Sequence, residues 1–121
     1  MHRVILDTSS IVFAFSRKAD IFESAEDRLH ARIVVSRGVM RELNSIALRR
    51  TKAGRAAKVA LEMLKKYTVD VEDDDRQADK WILDAGMDSD IYVCTNDIRL
   101  KQELRKRGKL ALSVSENGVL R

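Results

Sequence analysis

Short apolar runs alternate with helical patterns along this chain. Three runs are apolar throughout, namely Val4–Leu6, Ile33–Val35 and Ile91–Cys94. Continuous apolar runs of this length, bounded by polar residues, are typical of strands buried on both faces of a parallel sheet. Two further runs, Val69–Val71 and Leu110–Val114, alternate apolar with polar residues, so they predict half-covered edge strands.

Apolar residues at helical spacing separate these runs. The predicted helices cover Ile11–Phe15, a stretch through Ile21 and Leu29, a stretch through Val39 and Ile46, a stretch through Ala57 and Leu64, residues 76–86, and a stretch through Leu100 and Leu104 that ends at Gly108. This alternation predicts an α/β fold with three layers (α/β/α) and a central parallel sheet of five strands. The doubly wound order 3-2-1-4-5 puts the alternating strands at the edges. Strands one and four are then neighbours at the switch point, where such sheets bind ligands.

Acidic residues are expected to meet at that switch point. Asp7 follows the first strand, Asp97 follows the fourth, and Glu42 and Asp79 each border the apolar stripe of a helix. Taken singly, each helix acid is explained as well by solvation or by a bond to nearby backbone. Together, like charges about 4 Å apart repel by roughly 4 kcal/mol per pair at an effective dielectric near 20, so the cluster needs a cation or protons. Carboxylate oxygens suit Mg²⁺ or Mn²⁺ better than Zn²⁺.

Composition sets the limits of the fold and its surroundings. The 121 residues are 45% hydrophobic and 35% charged, which predicts one soluble globular domain over residues 1–121. Cys94 is the only cysteine, which excludes an intramolecular disulfide and favours a reducing compartment, so we expect the cytoplasm. Asp7 interrupts the first apolar run after three residues, a pattern of neither a signal peptide nor a membrane span.

Basic residues are concentrated in two segments of a chain with net charge +4. Seven basic residues and one acid lie between Arg49 and Lys66, and six basic residues and one acid lie between Arg99 and Lys109. Such segments attract phosphates, although a solvated helix surface is the simpler explanation of each alone. The preferred phosphate contacts lie nearer the predicted crevice: Arg37, Arg41, Lys80 and Arg99.

The acidic run Asp73-Asp74-Asp75 precedes the helix that carries Asp79. Acids at the start of a helix cap its free amides and complement its dipole. We therefore expect capping and solvation of this run rather than a part in the site. In the same helix, Trp81 is expected to pack in the core.

Four short motifs together resemble the PIN domain ribonucleases, with order and spacing agreeing over nearly the whole chain. The motifs are Asp7-Thr8-Ser9 after the first strand, Glu42 within Arg41-Glu42-Leu43, Asp79 within Ala78-Asp79-Lys80-Trp81-Ile82, and Thr95-Asn96-Asp97 after the fourth strand. Each motif alone is weak, because an acid after an apolar run is common. Four in register are considerably more specific.

The resemblance implies a metal-dependent endonuclease that acts on RNA, single-stranded or in loops. The four acids Asp7, Glu42, Asp79 and Asp97 would hold one or two Mg²⁺ or Mn²⁺ ions, Asp97 either directly or through water. Ser9, Thr95 and Asn96 would support them by hydrogen bonds, although ordinary turn chemistry explains the same residues equally well.

The resemblance leaves the biological role open. Small PIN proteins include VapC toxins, held inactive by an antitoxin, and enzymes of ribosomal RNA maturation; residues 78–112 look closer to the pre-ribosomal branch. PIN domains often dimerise, so a homodimer is a further expectation.

Three other classes are weighed against this reading. A haloacid dehalogenase phosphatase needs a second Asp where Ser9 stands, and a receiver domain needs an acidic pair near the first strand. The third is a catalytically silent PIN-fold scaffold that binds RNA or protein. The complete set of acids argues against it.

Overall fold

Four parallel strands form the sheet of the computed structural model, which describes residues 2–118 and 120–121. The strands are β1 (His2–Leu6), β2 (Ala31–Ser36), β3 (Val69–Glu72) and β4 (Ile91–Cys94), in the order β3-β2-β1-β4. The α/β class and the order of the first four predicted strands are thus confirmed. All three pairings are parallel, so the carboxyl ends of the strands share one edge.

Helices connect the strands at nearly all the predicted places. Within the described residues they are α1 (Thr8–Ser16), α2 (Ile21–Leu29), α3 (Arg37–Ala47), α4 (Lys52–Leu64), α5 (Ala78–Ala85) and α6 (Ile98–Lys106). The first begins at Thr8, three residues before the predicted Ile11, because the Asp7 side chain caps it. Ser36 caps α3 in the same way, and Thr51 caps α4.

The predicted fifth strand is reduced to a single bridge with β4, while Val114 forms an antiparallel bridge with Leu120. Leu112 bridges Cys94 in parallel orientation, so this segment does lie beside β4, on the predicted side of the sheet. The ladder stops there because the Asn96 side chain takes the next backbone groups. Its Oδ1 accepts from the Val114 amide at 2.7 Å and its Nδ2 donates to the Val114 carbonyl at 2.9 Å.

Asp73 and Asp75 of the acidic run before α5 are exposed to solvent, as expected, but the run does not cap that helix. The helix begins after Gln77, whose side chain makes no capping hydrogen bond. Asp73 pairs with Arg37 and Asp75 pairs with Arg41, because both guanidinium groups lie on neighbouring α3. The run therefore joins α3 to the loop before α5.

The core fills both sides of the sheet. Val4–Leu6 and Ile33–Val35 are buried throughout, and successive side chains of a strand point to opposite faces. Trp81 packs in this core as expected, 1% exposed, and its Nε1 donates to a Glu72 carboxylate oxygen at 2.9 Å. No helix among the described residues has the length and apolar character needed to cross a bilayer.

Candidate active site

Asp7 lies where β1 ends, at the carboxyl edge of the sheet. Its amide donates to the Cys94 carbonyl at 3.3 Å, which continues the pairing of β1 with β4. Its carboxylate caps α1 by accepting from the Ser10 amide at 2.9 Å. The strand and the helix cap therefore hold this carboxylate from two sides, and the residue is only 4% exposed.

Two hydroxyl groups also donate to the Asp7 carboxylate. Ser9 Oγ lies 3.0 and 3.1 Å from its two oxygens, and Thr95 Oγ1 donates to Oδ2. The Thr95 oxygen also accepts from the Asp97 amide at 3.0 Å, which links the ends of β1 and β4. Ser9 and Thr95 therefore both donate to the carboxylate of Asp7.

Burial raises the pKa of Asp7 above its ordinary value of 3.8, and the hydrogen bonds from Thr95, Ser10 and Ser9 offset only part of that rise. The cause is desolvation, which disfavours the charged form of a carboxyl group. A nearby cation would favour the charged form and so lower the same pKa. A cation bound beside Asp7 would therefore stabilise its charged form.

The other three predicted acids reach the same cavity from three other elements. Glu42 comes from α3, Asp79 from the first turn of α5, and Asp97 from the residue that caps α6. The cavity has a volume of about 320 Å³. It is lined by Asp7, Thr8, Ser9, Glu42, Gln77, Ala78, Asp79 and Asp97. The fold thus brings the four acids to one place.

Each of these three acids accepts a hydrogen bond, that of Asp79 coming from the Lys80 amide at 2.8 Å. Thr8 Oγ1 donates to Glu42 Oε2 at 2.8 Å, which ties α3 to the start of α1. The Asp97 carboxylate accepts from the amides of Arg99 at 2.9 Å and Leu100 at 3.2 Å. None of the four cavity acids forms an ion pair within the described residues.

The donor atoms fit a hard divalent cation and do not fit zinc. The cavity offers carboxylate oxygens, whereas His2 and His30 lie elsewhere and burial raises the pKa of the Cys94 thiol to about 12. As the side chains stand, no three His, Cys, Asp or Glu residues of the described chain are close enough to hold one ion. Mg²⁺ fits such an open arrangement, because it usually keeps several waters and takes one or two carboxylates.

Several predicted site residues lie outside the cavity. Asn96 bonds the Val114 backbone instead of supporting an acid. Arg37 and Arg41 are held in the ion pairs with Asp73 and Asp75. Lys80 and Arg99 also do not line the cavity, and both are exposed.

The sequence predicts no role for Thr8 and Gln77 in the cavity, or for Ser10, which bonds Asp7. Thr8 belongs to the Asp7-Thr8-Ser9 motif, and its position beside the helix cap was the available signal. Ser10 lies buried with its hydroxyl within 3.0 Å of the Asp7 carbonyl and 3.2 Å of the Cys94 carbonyl, so it braces the junction of β1 and β4. Gln77 lines the cavity without any signal in the sequence.

Comparisons with known proteins agree with this arrangement. A family model described as a PIN-like domain matches residues 4–114. Ribonuclease VapC9 of Archaeoglobus fulgidus is 26% identical over 105 residues, which are 86% of this chain and 76% of that protein. The rRNA-processing protein fcf1 of Schizosaccharomyces pombe is 34% identical over 126 aligned positions, which cover 98% of this chain. The chain spans only 62% of the length of fcf1.

A solved structure shows the same fold. The PIN domain endonuclease Utp24 superposes with a TM-score of 0.77 and 28% sequence identity. The match covers 98% of this chain and 90% of the Utp24 chain. It therefore includes every strand and helix from β1 to α6.

Proposed function

The chain belongs to the PIN-like domain family, and on that basis we propose that it is a divalent-metal-dependent endoribonuclease. One observation carries the proposal: carboxylates from four separate elements line one cavity at the carboxyl edge of the sheet. This is where open α/β sheets bind ligands. The similarity to a VapC ribonuclease, an rRNA-processing protein and a PIN endonuclease supports RNA as the substrate.

Asp7, Glu42, Asp79 and Asp97 are the proposed ligands of Mg²⁺ or Mn²⁺. The chemistry that a bound divalent cation supplies is activation of a water and neutralisation of charge on the scissile phosphate. Ser9 and Thr95 orient the Asp7 carboxylate through their hydroxyl groups. Thr8 fixes Glu42 in the same way, so each of these two acids is held before any ligand binds.

We place the activity in RNA processing, with a VapC-type toxin as the second role. The longer and more identical match is to fcf1, which favours processing. The proposed partner depends on the role: a pre-ribosomal particle for processing, or an antitoxin for a toxin. A homodimer is compatible with both roles. Free, buried Cys94 is consistent with the reducing compartment, the cytoplasm, that the sequence predicts.

Cleavage of RNA in Mn²⁺ tests the function directly. The wild-type chain should cut single-stranded and hairpin RNA in Mn²⁺ or Mg²⁺, and EDTA should abolish the activity. Asp7→Asn should lower the rate by about 10³-fold or more. The matched control is Asp70→Asn, which changes the same group on edge strand β3, outside the cavity. Equal rates for wild type and Asp7→Asn, from protein freed of contaminating nuclease, would contradict the proposal.

The alternative is a catalytically silent scaffold with the same fold. It is favoured by the observation that no three metal-binding side chains converge among the described residues. A thermal melt with and without Mn²⁺ discriminates the two, because ligand binding to the folded state raises its stability. If the protein is an enzyme of the proposed kind, Mn²⁺ raises the melting temperature of the wild type more than that of the Asp7→Asn variant. A scaffold shows no such difference.

A further inference from the structure

A second cavity lies at the opposite end of α1 from the acids. Its volume is about 290 Å³. Three cationic side chains and three apolar side chains define what we call the α1–α4 basic cavity: Lys18, Lys52 and Arg55, with Phe15, Ala56 and Val59. Phe15 comes from the end of α1, and Ala56 and Val59 come from α4, so the lining is partly cationic and partly apolar.

The cations of this cavity are not neutralised by the protein. Lys18, Lys52 and Arg55 are exposed, and none forms an ion pair with a described residue. Residues 49–58 around them contain five basic residues and no acid. The arginines nearer the active site behave in the opposite way, because Arg37 and Arg41 are both paired with aspartates. Three unpaired cations therefore line this one cavity, whereas Lys80 and Arg99, which are also unpaired among the described residues, do not line the acidic cavity.

The backbone around the cavity is tightly held. Thr51 caps α4 by accepting from the Gly54 amide at 3.0 Å. A Cβ on Gly54 would lie 2.0 Å from the Arg49 carbonyl oxygen, so the turn before α4 packs directly on the first turn of the helix. Lys52 and Arg55 thus project from a fixed helix end rather than from a free loop.

One face of α1 joins the two cavities. Ser9 lines the acidic cavity, and Ser16, seven residues further, lines the basic one. Residues i, i+4 and i+7 share one helix face, which puts half-buried Phe13 between the two serines. Arg17 lies with its guanidinium carbon 3.7 Å from the centre of the Phe13 ring. An aromatic ring with a stacked guanidinium is a surface on which a nucleic-acid base can stack.

We propose that a single-stranded RNA segment next to the cleavage point runs along this face of α1, and that its phosphates bind Lys18, Lys52 and Arg55. The proposal rests on RNA being the substrate, and it adds a second binding site at a distance from the scissile bond. That distance is about 13 Å, because α1 has nine residues at a rise of about 1.5 Å each. The charge is complementary, and the helix face leads from one cavity to the other.

The test measures RNA binding without cleavage. Labelled oligouridylates of about 4 and about 16 nucleotides are titrated in EDTA at several salt concentrations, since single-strand sites cover this range of lengths. The cavity variant is Lys18→Gln/Lys52→Gln/Arg55→Gln. The control is Arg32→Gln/Lys65→Gln/Lys106→Gln, which removes the same charge from residues that are ion-paired elsewhere. Circular dichroism melts establish that both variants are folded.

The longer oligomer should bind the cavity variant at least about tenfold more weakly than it binds the wild-type protein. The magnitude of the slope of log K against log salt should fall by about 2, which is near 0.7 for each lost phosphate contact. The affinity of the shorter oligomer should fall much less, because it spans fewer of the proposed contacts along α1. Equal losses in the cavity and control variants would overturn the proposal. So would preferential binding of poly-L-glutamate at this cavity, which would make an acidic protein segment the occupant.

The two proposals fail separately. Binding in EDTA needs no catalysis, so a protein that binds long RNA through this cavity but never cleaves it contradicts only the nuclease proposal. A protein that cleaves RNA in Mn²⁺ while both triple variants bind alike contradicts only the second site.

Discussion

The two ends of α1 carry opposite charge: acids lie at its N-terminal end and cations lie at its C-terminal end. The two sets of charges differ in how far they are exposed to solvent. At the first end, Asp7 is buried and its pKa is raised by desolvation, so the charge is costly. At the last end, Lys18, Lys52 and Arg55 are exposed, so their charge is well solvated. None of these groups is ion-paired within the described residues. A cation at the first end would therefore relieve a cost, whereas the second end would attract anions at long range.

The dipole of α1 complements these charges, because each of its ends lies beside side chains of the opposite sign. Its positive end points at the Asp7 carboxylate, and its negative end points toward Arg17 and Lys18. A cation bound at the first end and phosphates bound at the second would each complete a charge pattern already present. The following changes test whether the two ends act separately.

Thr95→Val should give the largest effect, and only at the acidic end. The variant keeps the shape of the side chain but removes the hydroxyl that donates to Asp7 and accepts from the Asp97 amide. Loss of such a supporting bond typically lowers activity about 10–100-fold. Single-turnover cleavage in Mn²⁺ should fall within that range, while binding of the long oligouridylate in EDTA stays within about twofold. A comparable loss of binding would show that the ends are coupled.

Gly38→Ala and Gly54→Ala should each lower the free energy of unfolding. Each should also impair the function of only one end of α1. A Cβ on Gly38 would lie 1.9 Å from the Arg76 carbonyl oxygen, beside the loop that leads to Asp79. Gly54→Ala makes the equivalent clash with Arg49 at the basic end. Each should cost about 1–2 kcal/mol in urea melts, because overpacking outweighs the gain in helix propensity.

Below the melting temperature the two glycine variants should differ. Gly38→Ala should reduce cleavage more than RNA affinity, and Gly54→Ala should do the reverse. Identical profiles for the two variants would mean that each clash spreads through the whole domain.

Asp7→Asn should become more stable than wild type as the pH rises, when metal is absent. The folded pKa of Asp7 is raised, so above pH 4 the unfolded chain releases its proton first and wild-type stability falls until the folded pKa is passed. Asparagine keeps the helix cap and carries no charge. In EDTA, the difference in melting temperature should grow from near zero at acidic pH to a few degrees at neutral pH. A difference that does not vary with pH contradicts the buried-charge explanation.

Arg37→Gln/Arg41→Gln should give the smallest effect. Both guanidinium groups are exposed and paired with Asp73 and Asp75, and exposed pairs typically contribute under about 1 kcal/mol. The affinity for the long oligouridylate should change by less than about twofold. A larger loss in the binding titration would return these arginines to the RNA contacts that their position in the sequence predicts.

The acids of the site could be predicted because local pattern determines their position. Asp7 and Asp97 follow buried strands, and the carboxyl ends of parallel strands share an edge whatever the loops do. Glu42 and Asp79 border apolar stripes, so the packing of their helices turns them toward the sheet. The positions of the first four strands follow from the same patterns. The single-domain assignment of residues 1–121 stays a prediction.

The errors come from side chains that bond far along the chain. Arg37 pairs with an aspartate 36 residues away, and nothing in the local pattern around either residue indicates the pairing. Asn96 replaces strand partners by bonding backbone 18 residues away, so alternation at residues 110–114 does not extend the sheet. The predicted phosphate contacts stay a prediction: Arg37 and Arg41 have aspartate partners that the local pattern does not indicate, whereas Lys80 and Arg99 have no ion pair with a described residue.

The position of Cys94 also allows local opening of the protein to be measured by the labelling of its thiol. This thiol ends β4 next to Thr95, is fully buried, and has its pKa raised to about 12. Thiol reagents react with the thiolate, so they cannot label the closed protein at neutral pH. Labelling therefore requires a local opening that exposes Cys94 at the end of β4, close to the junction with β1, and Asp7 and Asp97 follow these two strands. The labelling rate, with and without Mn²⁺, measures how firmly a bound ion clamps that junction.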